Sequence, residues 1–270
     1  MRDTPVVETL TTAITERLAP YADERFLLLD PPPRLIDALA RAVTGETTLP
    51  HVDVVASETT LRTVRQQFLL ATRVATAVAT GRCRLRGTDT DDLSTVFVSP
   101  DRLCVVVVVD DAATVREPPS ADWTTALYTA GQETFANAEP YPLRTPTLEE
   151  LLSSDDSPLP AAFHDAFETA LDIAASFDDP ALFDPVRTAL VLAARHELLN
   201  YDVSRWGERV GVASKATFSR RKGQLEDAHL TTEEVSAGLG HPRQRLLLTD
   251  TSRAVLDEGG LAELLRSVHE

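Results

Sequence analysis

Lysine is nearly absent from this chain. Lys215 and Lys222 are its only two lysines among 270 residues, and arginine supplies the remaining positive charge. Asp and Glu are abundant, so the formal net charge is -16 and the pI is about 4.8. Such a surface is typical of halophile proteins, because acidic side chains keep a chain hydrated and soluble in concentrated salt. An acidic protein of a mesophile is the alternative.

Cysteine, long apolar runs and a leader segment are also scarce or missing. Cys83 and Cys104 suggest neither a disulfide framework nor the spacing of zinc ligands. The longest clear apolar run, residues 103–109, has the length of a strand, whereas a membrane helix needs about 20 residues. The first residues contain no apolar segment of a secretory signal. We therefore expect a cytoplasmic protein without a membrane partner, and its length predicts two domains.

The first half of the chain alternates strand-like and helix-like patterns. The predicted elements are helix 4–18, strand 25–30, helix 33–43, strand 51–56, one long helix to about residue 80 capped by Ser57, strand 82–86, a hairpin of 93–98 and 103–110, a loop at 111–120 and helix 122–137. The alternation of strands and helices, followed by a hairpin, predicts an α/β domain with a partly parallel sheet.

The second half is organised differently. Residues 153–160 (SSDDSPLP) are small, acidic and rich in proline, which favours a linker. Helices are predicted at 161–175 and at 185–199, the second ending at Asn200. We therefore predict an α/β sensor and dimerisation domain over 1–152, a linker with a connecting helix over 153–183, and a winged helix-turn-helix domain over 184–270.

The helix-turn-helix prediction depends on two glycines and a serine. Gly207 stands where two helices would cross closely, and Gly211 stands where the turn needs a positive φ. Ser214 can cap a second helix over 215–225, whose Phe218 would face the core with Leu225. A wing would follow, with 231–235 pairing to 245–248 across SAGLGHPRQ.

The candidate DNA-contacting residues are polar or cationic side chains of the second helix and the wing. They are Ser214, Lys215, Thr217, Ser219, Arg220, Arg221, Lys222, His241, Arg243 and Arg245. From Val203 to Arg245 there are eight Lys or Arg against five Asp or Glu, so this segment carries +3 and the rest of the chain -19. Both lysines lie on the helix predicted to enter the groove. A winged helix that contacts a protein is the alternative, but it does not explain this concentration of positive charge.

The same segment resembles a known family. VASKATFSRRK, followed by LEDAHL and GHPRQRLLL, is similar to the TbsP-like winged-helix transcription regulators of haloarchaea. The resemblance extends to FLLLDPPP and FLLATRVATAVATGRCRLRG. It implies a dimeric cytoplasmic transcription factor that binds promoter DNA and whose α/β domain senses a metabolite. One departure is that Thr217 follows Gly211 by six residues rather than the usual five, which leaves the register of the recognition helix open by one residue.

The upstream domain also resembles, faintly, the degenerate phospholipase-D-like sensor domains of sugar-responsive archaeal regulators. An active enzyme of that type needs a His-x-Lys pair, and neither lysine has a histidine two residues before it. No glycine-rich phosphate loop follows the first strand. The six histidines form no pair at metal-ligand spacing, and we expect His51, His164 and His196 to be satisfied residues of helices or strands rather than ligands. We therefore expect no enzyme activity, no cofactor and no metal.

Two further features are open to a functional interpretation. A small anionic metabolite such as a sugar phosphate could bind at the helix start formed by Ser57, Glu58 and Arg62, although a plain capped helix is the favoured interpretation. The long helix and helix 161–175 are candidates for a homodimer interface, and the alternative is that both pack only on their own domain.

Overall fold

The computed structural model describes residues 4–89, 95–109, 112–117, 123–177, 182–236 and 242–269. The chain forms two compact units, Met1–Leu143 and Arg144–Glu270. The division therefore falls before residue 152, where the sequence predicted it. Residues 153–160 and the predicted connecting helix pack within the second unit, since His164 bonds to Leu151 and Ser157 and Phe163 contacts Trp206.

The N-terminal unit contains a partly parallel sheet, as predicted. Its strands are β1 Arg25–Leu29, β2 His51–Ser57, β3 Cys83–Thr88, β4 Val96–Val98, β5 Leu103–Val109, β6 Ala112–Arg116 and β7 Glu139–Pro140. The order in space is β6-β5-β4-β1-β2-β3-β7. β2 pairs in parallel with β1 on one side and with β3 on the other, and the other pairings of this sheet are antiparallel. The β-α-β-α-β order of the sequence thus forms the centre of the sheet.

Helices cover both faces of this sheet. They are α1 Thr4–Leu18, α2 Pro33–Thr44, α3 Glu58–Gln66, α4 Phe68–Ala79 and α5 Thr124–Asn137. The larger core contains apolar residues of the four helices α1, α2, α3 and α4, together with inward-facing strand residues such as Phe26 and Val52. The smaller core lies on the opposite face, where Phe135 of α5 packs with Leu27 and Leu29. A Cβ on Gly131 would lie 3.2 Å from the side chain of Leu29, so this glycine allows α5 to approach closely.

The long helix predicted after Ser57 is two helices, and that prediction was wrong. Gln67 has an extended backbone (φ -98°, ψ 101°) between α3 and α4. Each short helix buries apolar side chains in its own unit, for example Leu61 and Val64 on α3 and Val74 on α4. No proline or glycine marks the break, which is why the apolar periodicity ran through it. Leu61 and Val64 of the predicted stripe pack in the core of the N-terminal unit, whereas Val78 is 38% exposed, so a role of these helices in a homodimer stays a prediction.

Residues 111–120 were predicted to be a loop, and this was also wrong in part. β6 pairs antiparallel with β5, with Val115 opposite Val106. Val115 is buried in the larger core. A short strand that pairs at the margin of a sheet carries only a few inward positions, so its sequence pattern is weak.

The C-terminal unit consists of helices and a two-stranded antiparallel wing. Its elements are α6 Leu148–Leu152, α7 Ala161–Ala175, α8 Pro185–Arg195, α9 Asn200–Arg209, α10 Lys215–Leu225, β8 Leu230–Val235, β9 Arg243–Leu248 and α11 Asp250–His269. α11 is interrupted at Gly260, whose φ of +70° and ψ of -172° are not helical. α6 begins with a capping box in which Thr147 and Glu150 exchange hydrogen bonds. The predicted apolar face of α7 packs within this unit, because Phe163 and Phe167 contact Trp206.

The first helix of the predicted DNA-binding domain ends earlier than the sequence indicated. α8 stops at Arg195, and Glu197 rather than Asn200 takes the left-handed conformation, with a φ of +55°. The Leu198 N–H donates to the Ala193 carbonyl (2.9 Å), which completes this stop. Asn200 is instead the first residue of α9. In the described part of the chain, no helix is long and apolar enough to cross a membrane.

Candidate nucleic-acid interface

α9 and α10 cross at the position that the two glycines predicted. A Cβ on Gly207 would lie 2.3 Å from two ring carbons of Phe218, so only glycine permits this contact. Gly211 has a φ of +83°, which a residue with a Cβ adopts only with strain. The Val212 N–H donates to the Gly207 carbonyl (2.8 Å) and closes the turn. Ser214 then caps α10 by accepting from the Thr217 N–H (3.3 Å).

The buried side of α10 determines which residues point outward. Phe218 and Leu225 are fully or almost fully buried. On the opposite side, the side chains at i, i+3, i+4 and i+7 spacing are all exposed. They are Ala216, Ser219, Arg220 and Gly223. We call these four residues the outer face of α10. This geometry resolves the register that the sequence left open: Arg220 lies on the outer face, and half-buried Thr217 lies at its margin.

Arg221 does not lie on the outer face. Its Nε atom is 2.8 Å from Oδ2 of Asp184, the residue that caps α8, and its Nη1 donates to Gln224 Oε1 (2.8 Å). The guanidinium therefore links α10 to the start of α8. The sequence placed Arg221 outward because the partner carboxylate lies in a distant part of the chain.

Lys222 has a similar internal role. Its Nζ is 2.7 Å from Glu226 Oε1 and donates to Gln244 Oε1 (3.0 Å) on β9. Only 12% of its side chain is exposed. The amine thus joins α10 to the wing. The expectation that Lys222 points largely outward is wrong, because a neutralising glutamate and the wing lie on its side of the helix.

The start of α10 combines polar contacts with exposure. Lys215 Nζ is 3.0 Å from Glu208 Oε2. The hydrogen bond from Lys215 lowers the pKa of the Glu208 carboxyl. Ser214 Oγ lies 3.2 Å from Thr217 Oγ1, so both hydroxyls are engaged with each other at the cap. In contrast, Arg220 forms neither a hydrogen bond nor an ion pair within the described ranges.

The wing carries two of the predicted arginines. Arg243 is exposed and its guanidinium lies 4.9 Å from the ring centre of Tyr201, at the start of α9. Arg245 is half-buried and forms a cross-strand pair with Glu233 (3.5 Å). His241 lies outside the described residues. Arg243 therefore keeps an exposed positive charge beside α9, and no sequence pattern indicated its contact with Tyr201.

The N-terminal unit contains a separate cluster of cations around Asp53. This buried carboxylate accepts from Arg84 Nε (2.6 Å) and Nη2 (2.5 Å), from Arg25 Nη1 (3.4 Å), and lies 3.0 Å from His51 Nε2. Burial raises the pKa of Asp53, but the hydrogen bond and charge of Arg84, with the charges of Arg25 and His51, hold that pKa below its ordinary value. The side chains of Arg25 and Arg84 are about half exposed.

The helix start proposed for an anion has different surroundings. Ser57 caps α3 through the Thr60 N–H (3.3 Å), as the plain interpretation predicted. Beside it, a cleft of about 570 Å³ is lined by Glu58 together with Asp89, Glu133 and Glu139. These carboxylates oppose an anion at this position.

The histidines fall into two groups. His51 and His164 have partners, as predicted: His51 approaches Asp53, and His164 contacts the Leu151 carbonyl (3.3 Å) and Ser157 Oγ (2.9 Å). Burial lowers the pKa of His164 and of His196. The buried Nε2 of His196 has no hydrogen-bond partner among the described residues, so it is not satisfied as expected. Those residues contain no group of three or more His, Cys, Asp or Glu arranged to hold a metal ion.

Comparison with known proteins matches both halves of the chain to one family. Residues 3–146 match the model of the TbsP-like transcriptional regulator N-terminal region, and residues 147–268 match that of the TbsP-like C-terminal HTH domain. No curated protein matches significantly. Among solved structures, TrmBL2, an archaeal chromatin protein with a novel mode of DNA binding, is 14% identical with a TM-score of 0.33. The match covers 49% of this chain and about half (52%) of that chain.

Proposed function

Because this chain belongs to the family of TbsP-like transcriptional regulators, we propose that it binds DNA sequence-specifically, with α10 in the major groove and the wing beside it. The observation that carries the proposal is the outer face of α10, where Arg220 is exposed and unpaired within the described residues. A recognition helix needs such a face, with donors that can reach base edges. The Gly207–Phe218 crossing keeps this face in a fixed orientation relative to α9.

Charge supports a mode of binding that relies little on phosphates. Between α9 and β9, the exposed arginines without a carboxylate partner in the described residues are Arg205, Arg209, Arg220 and Arg243, and Arg209 donates to the Asp156 carbonyl. Each neutralised phosphate makes log K fall by about 0.9 per unit of log[salt]. Few such contacts therefore imply a shallow salt dependence, which suits binding in concentrated salt. The measurement is the slope of log K between 0.2 and 2 M KCl: four cations in each protomer of a dimer give at most about -7, and a steeper slope contradicts this mode.

The test of the function is selection from a pool of random double-stranded DNA by the full chain, followed by binding measurements on the enriched duplex. We expect one short recurrent motif. Arg62→Ala serves as a matched control, since Arg62 is exposed in the N-terminal unit, and it should leave binding unchanged. A pool with no motif would favour the alternative, in which the winged helix contacts another regulator.

The proposal includes a homodimer. A two-fold dimer would place two recognition helices about one DNA turn apart on a palindromic site. In the N-terminal unit, the large apolar side chains Val107 and Trp123 are 42% and 52% exposed and offer surface for self-association. Sedimentation equilibrium of the full chain checks this: we expect twice the mass of 29.4 kDa, and a monomer at all concentrations would contradict it.

The proposal also includes a small anionic effector, such as a sugar phosphate, bound by the N-terminal unit. The half-exposed guanidiniums of Arg25 and Arg84, held in place by Asp53, provide donors for an anion. Thermal shift against a panel of sugar phosphates tests this. Stabilisation that is lost in Arg25→Ala supports it, and equal melting with and without every sugar phosphate contradicts it. On this proposal the N-terminal unit regulates without catalysis.

A further inference from the structure

Gly223 is a glycine that no contact among the described residues requires. It lies inside α10, where glycine is less favourable than alanine because it has more conformational entropy to lose. A Cβ added there would meet no described atom within 4 Å, and its φ is not in the left-handed region. This differs from Gly207, where the Phe218 ring excludes a side chain, and from Gly211, where the turn requires a positive φ. The missing Cβ at Gly223 therefore has no explanation in the part of the chain that the structure describes.

Two other members of the outer face also have short side chains. Ala216 and Ser219, like Gly223, have short side chains, and together they surround Arg220 at positions i-4, i-1 and i+3. A helix with ordinary side chains is about 10–12 Å across, close to the ~12 Å width of the major groove. A strip of short side chains reduces that diameter on one side. The helix can then sit deep enough for one long side chain to reach the base edges.

Arg220 is the long side chain at the centre of this strip. Its neighbours Arg221 and Lys222 are held by Asp184 and Glu226, whereas Arg220 has no hydrogen bond or ion pair in the part of the chain that the structure describes. An unpaired guanidinium presents two parallel N–H donors. Of the four bases, guanine displays the matching pair of acceptors, O6 and N7, in the major groove.

We infer that Arg220 determines the sequence specificity of α10 by bidentate hydrogen bonds to a guanine, and that Gly223 is the point where the DNA approaches the helix backbone most closely. The inference rests on the proposed function, since it assigns a base and two roles within that interface. Arg221 and Lys222, which the sequence groups with Arg220, hold the helix in position and read no base.

The first experiment replaces single guanines of the duplex selected by the wild-type chain with 7-deazaguanine, which lacks only the N7 acceptor. At one guanine of each half-site we expect wild-type affinity to fall about 10-fold, as the loss of half of a bidentate contact predicts. Arg220→Ala should bind the unmodified duplex about 10- to 100-fold more weakly and show no further loss with 7-deazaguanine. Arg221→Ala is the matched control, and it should keep the full 7-deazaguanine effect.

The second experiment measures Gly223→Ala by thermal melting and by DNA binding. We expect the melting temperature to stay equal or rise, because alanine favours a helix, while affinity for the selected duplex falls about 10-fold or more. These opposite directions separate a blocked approach from a misfolded domain. Ser219→Ala, which shortens a neighbouring side chain on the same face, should not reproduce a loss of this size.

The outcomes separate this inference from the function on which it rests. If the wild-type chain selects no motif, the proposed function and the inference both fail. If it selects a motif but 7-deazaguanine acts equally on wild type and Arg220→Ala, or at no guanine, the guanine contact is overturned alone. If Gly223→Ala binds as tightly as wild type, the close approach at Gly223 is overturned alone.

Discussion

Arginines gather at two places in this acidic chain, and the two places treat their charge in opposite ways. In the N-terminal unit, Arg25 and Arg84 surround the buried Asp53, whose oxygens accept from both. On α10, Arg220 is exposed and has no such partner among the described residues. In the first arrangement a buried carboxylate neutralises part of the positive charge and holds the half-exposed guanidiniums in place, whereas in the second the charge of Arg220 is not neutralised by any described carboxylate. A local excess of Lys and Arg therefore has to be compared with its internal carboxylate partners before the unneutralised charge of a surface is known.

The same distinction holds within α10. Arg221 and Lys222 have internal acidic partners, and Arg220 does not. Changes at Arg221 and Lys222 should alter the free energy of unfolding, whereas changes on the outer face should alter DNA affinity. The four predictions below test that division, beginning with the contact that orients α10.

The largest effect is expected from Gly207→Ala. The new Cβ would overlap the Phe218 ring, which lies 2.3 Å away, so α9 and α10 must separate. Overpacking of this kind costs about 3 kcal/mol of unfolding free energy. Urea unfolding followed by Trp206 fluorescence in a Trp123→Phe background measures it, because these are the two tryptophans of the chain. Adding Phe218→Leu should restore part of the loss, and an unchanged urea midpoint in Gly207→Ala would contradict the contact.

Asp53→Asn should destabilise the N-terminal unit by about 2 kcal/mol at neutral pH, since charged hydrogen bonds to Arg84 are lost. The pKa of Asp53 is lower in the folded chain than in the unfolded one. Its contribution is therefore complete above the unfolded pKa of about 3.9 and is lost as pH falls through the lower folded value. Hydrogen exchange of β2 amides against pH measures this. Equal exchange in wild type and variant at pH 7 would contradict it.

Lys222→Met should lower the stability of the C-terminal unit by about 1 kcal/mol, because it removes the bonds to Glu226 and Gln244 that hold the wing. Loss of DNA affinity should be severalfold, with the salt slope unchanged, since this amine contacts no phosphate in our proposal. The chain's other lysine supplies the control: Lys215→Met breaks only an exposed pair with Glu208 and should not change the urea midpoint. A reduced salt slope in Lys222→Met would indicate a phosphate contact instead.

The smallest effect is expected from Arg245→Ala. The pair with Glu233 has side chains that are 40% and 54% exposed, and exposed pairs contribute about 0.5 kcal/mol or less. DNA affinity should change less than about twofold, since Arg245 already has an internal partner. A loss above tenfold in a fluorescence anisotropy titration would place Arg245 among the base or phosphate contacts. It would also break the rule that partnered cations do not read DNA.

Sequence patterns predicted the elements around the interface well, because local rules govern them. Gly207, Gly211 and Ser214 each have a role that short-range geometry requires, and α10 begins and ends as predicted. The α/β fold and the family were confirmed for the same reason: strand and helix periods are local. The ten candidate DNA contacts stay predictions. The structure distinguishes those with internal partners, such as Arg221 and Lys222, from exposed Arg220.

What the sequence could not predict depends on distant parts of the chain. Arg221 was predicted to contact DNA, because no acidic partner is visible near it in the sequence. Its partner, Asp184, lies at the start of α8, far from it along the chain. Gly223 was not among the predicted site residues. Its position beside Arg220 on the exposed side of α10 follows only once the burial of Phe218 shows which side of the helix faces the core. The break at Gln67 was missed because its extended backbone follows from how two helices pack on the sheet, not from a proline or glycine.

The packing of Trp206 limits how this DNA-binding head can be moved between proteins. Trp206 on α9 is fully buried against Phe163 and Phe167 of α7. A fusion protein that starts at Asp184 would lack Phe163 and Phe167 and would expose the indole to solvent, although it would keep every residue of the helix-turn-helix. The portable module instead begins before the Thr147 capping box, so recombination in evolution or in the laboratory should succeed at the boundary near Leu143 and fail nearer to α8.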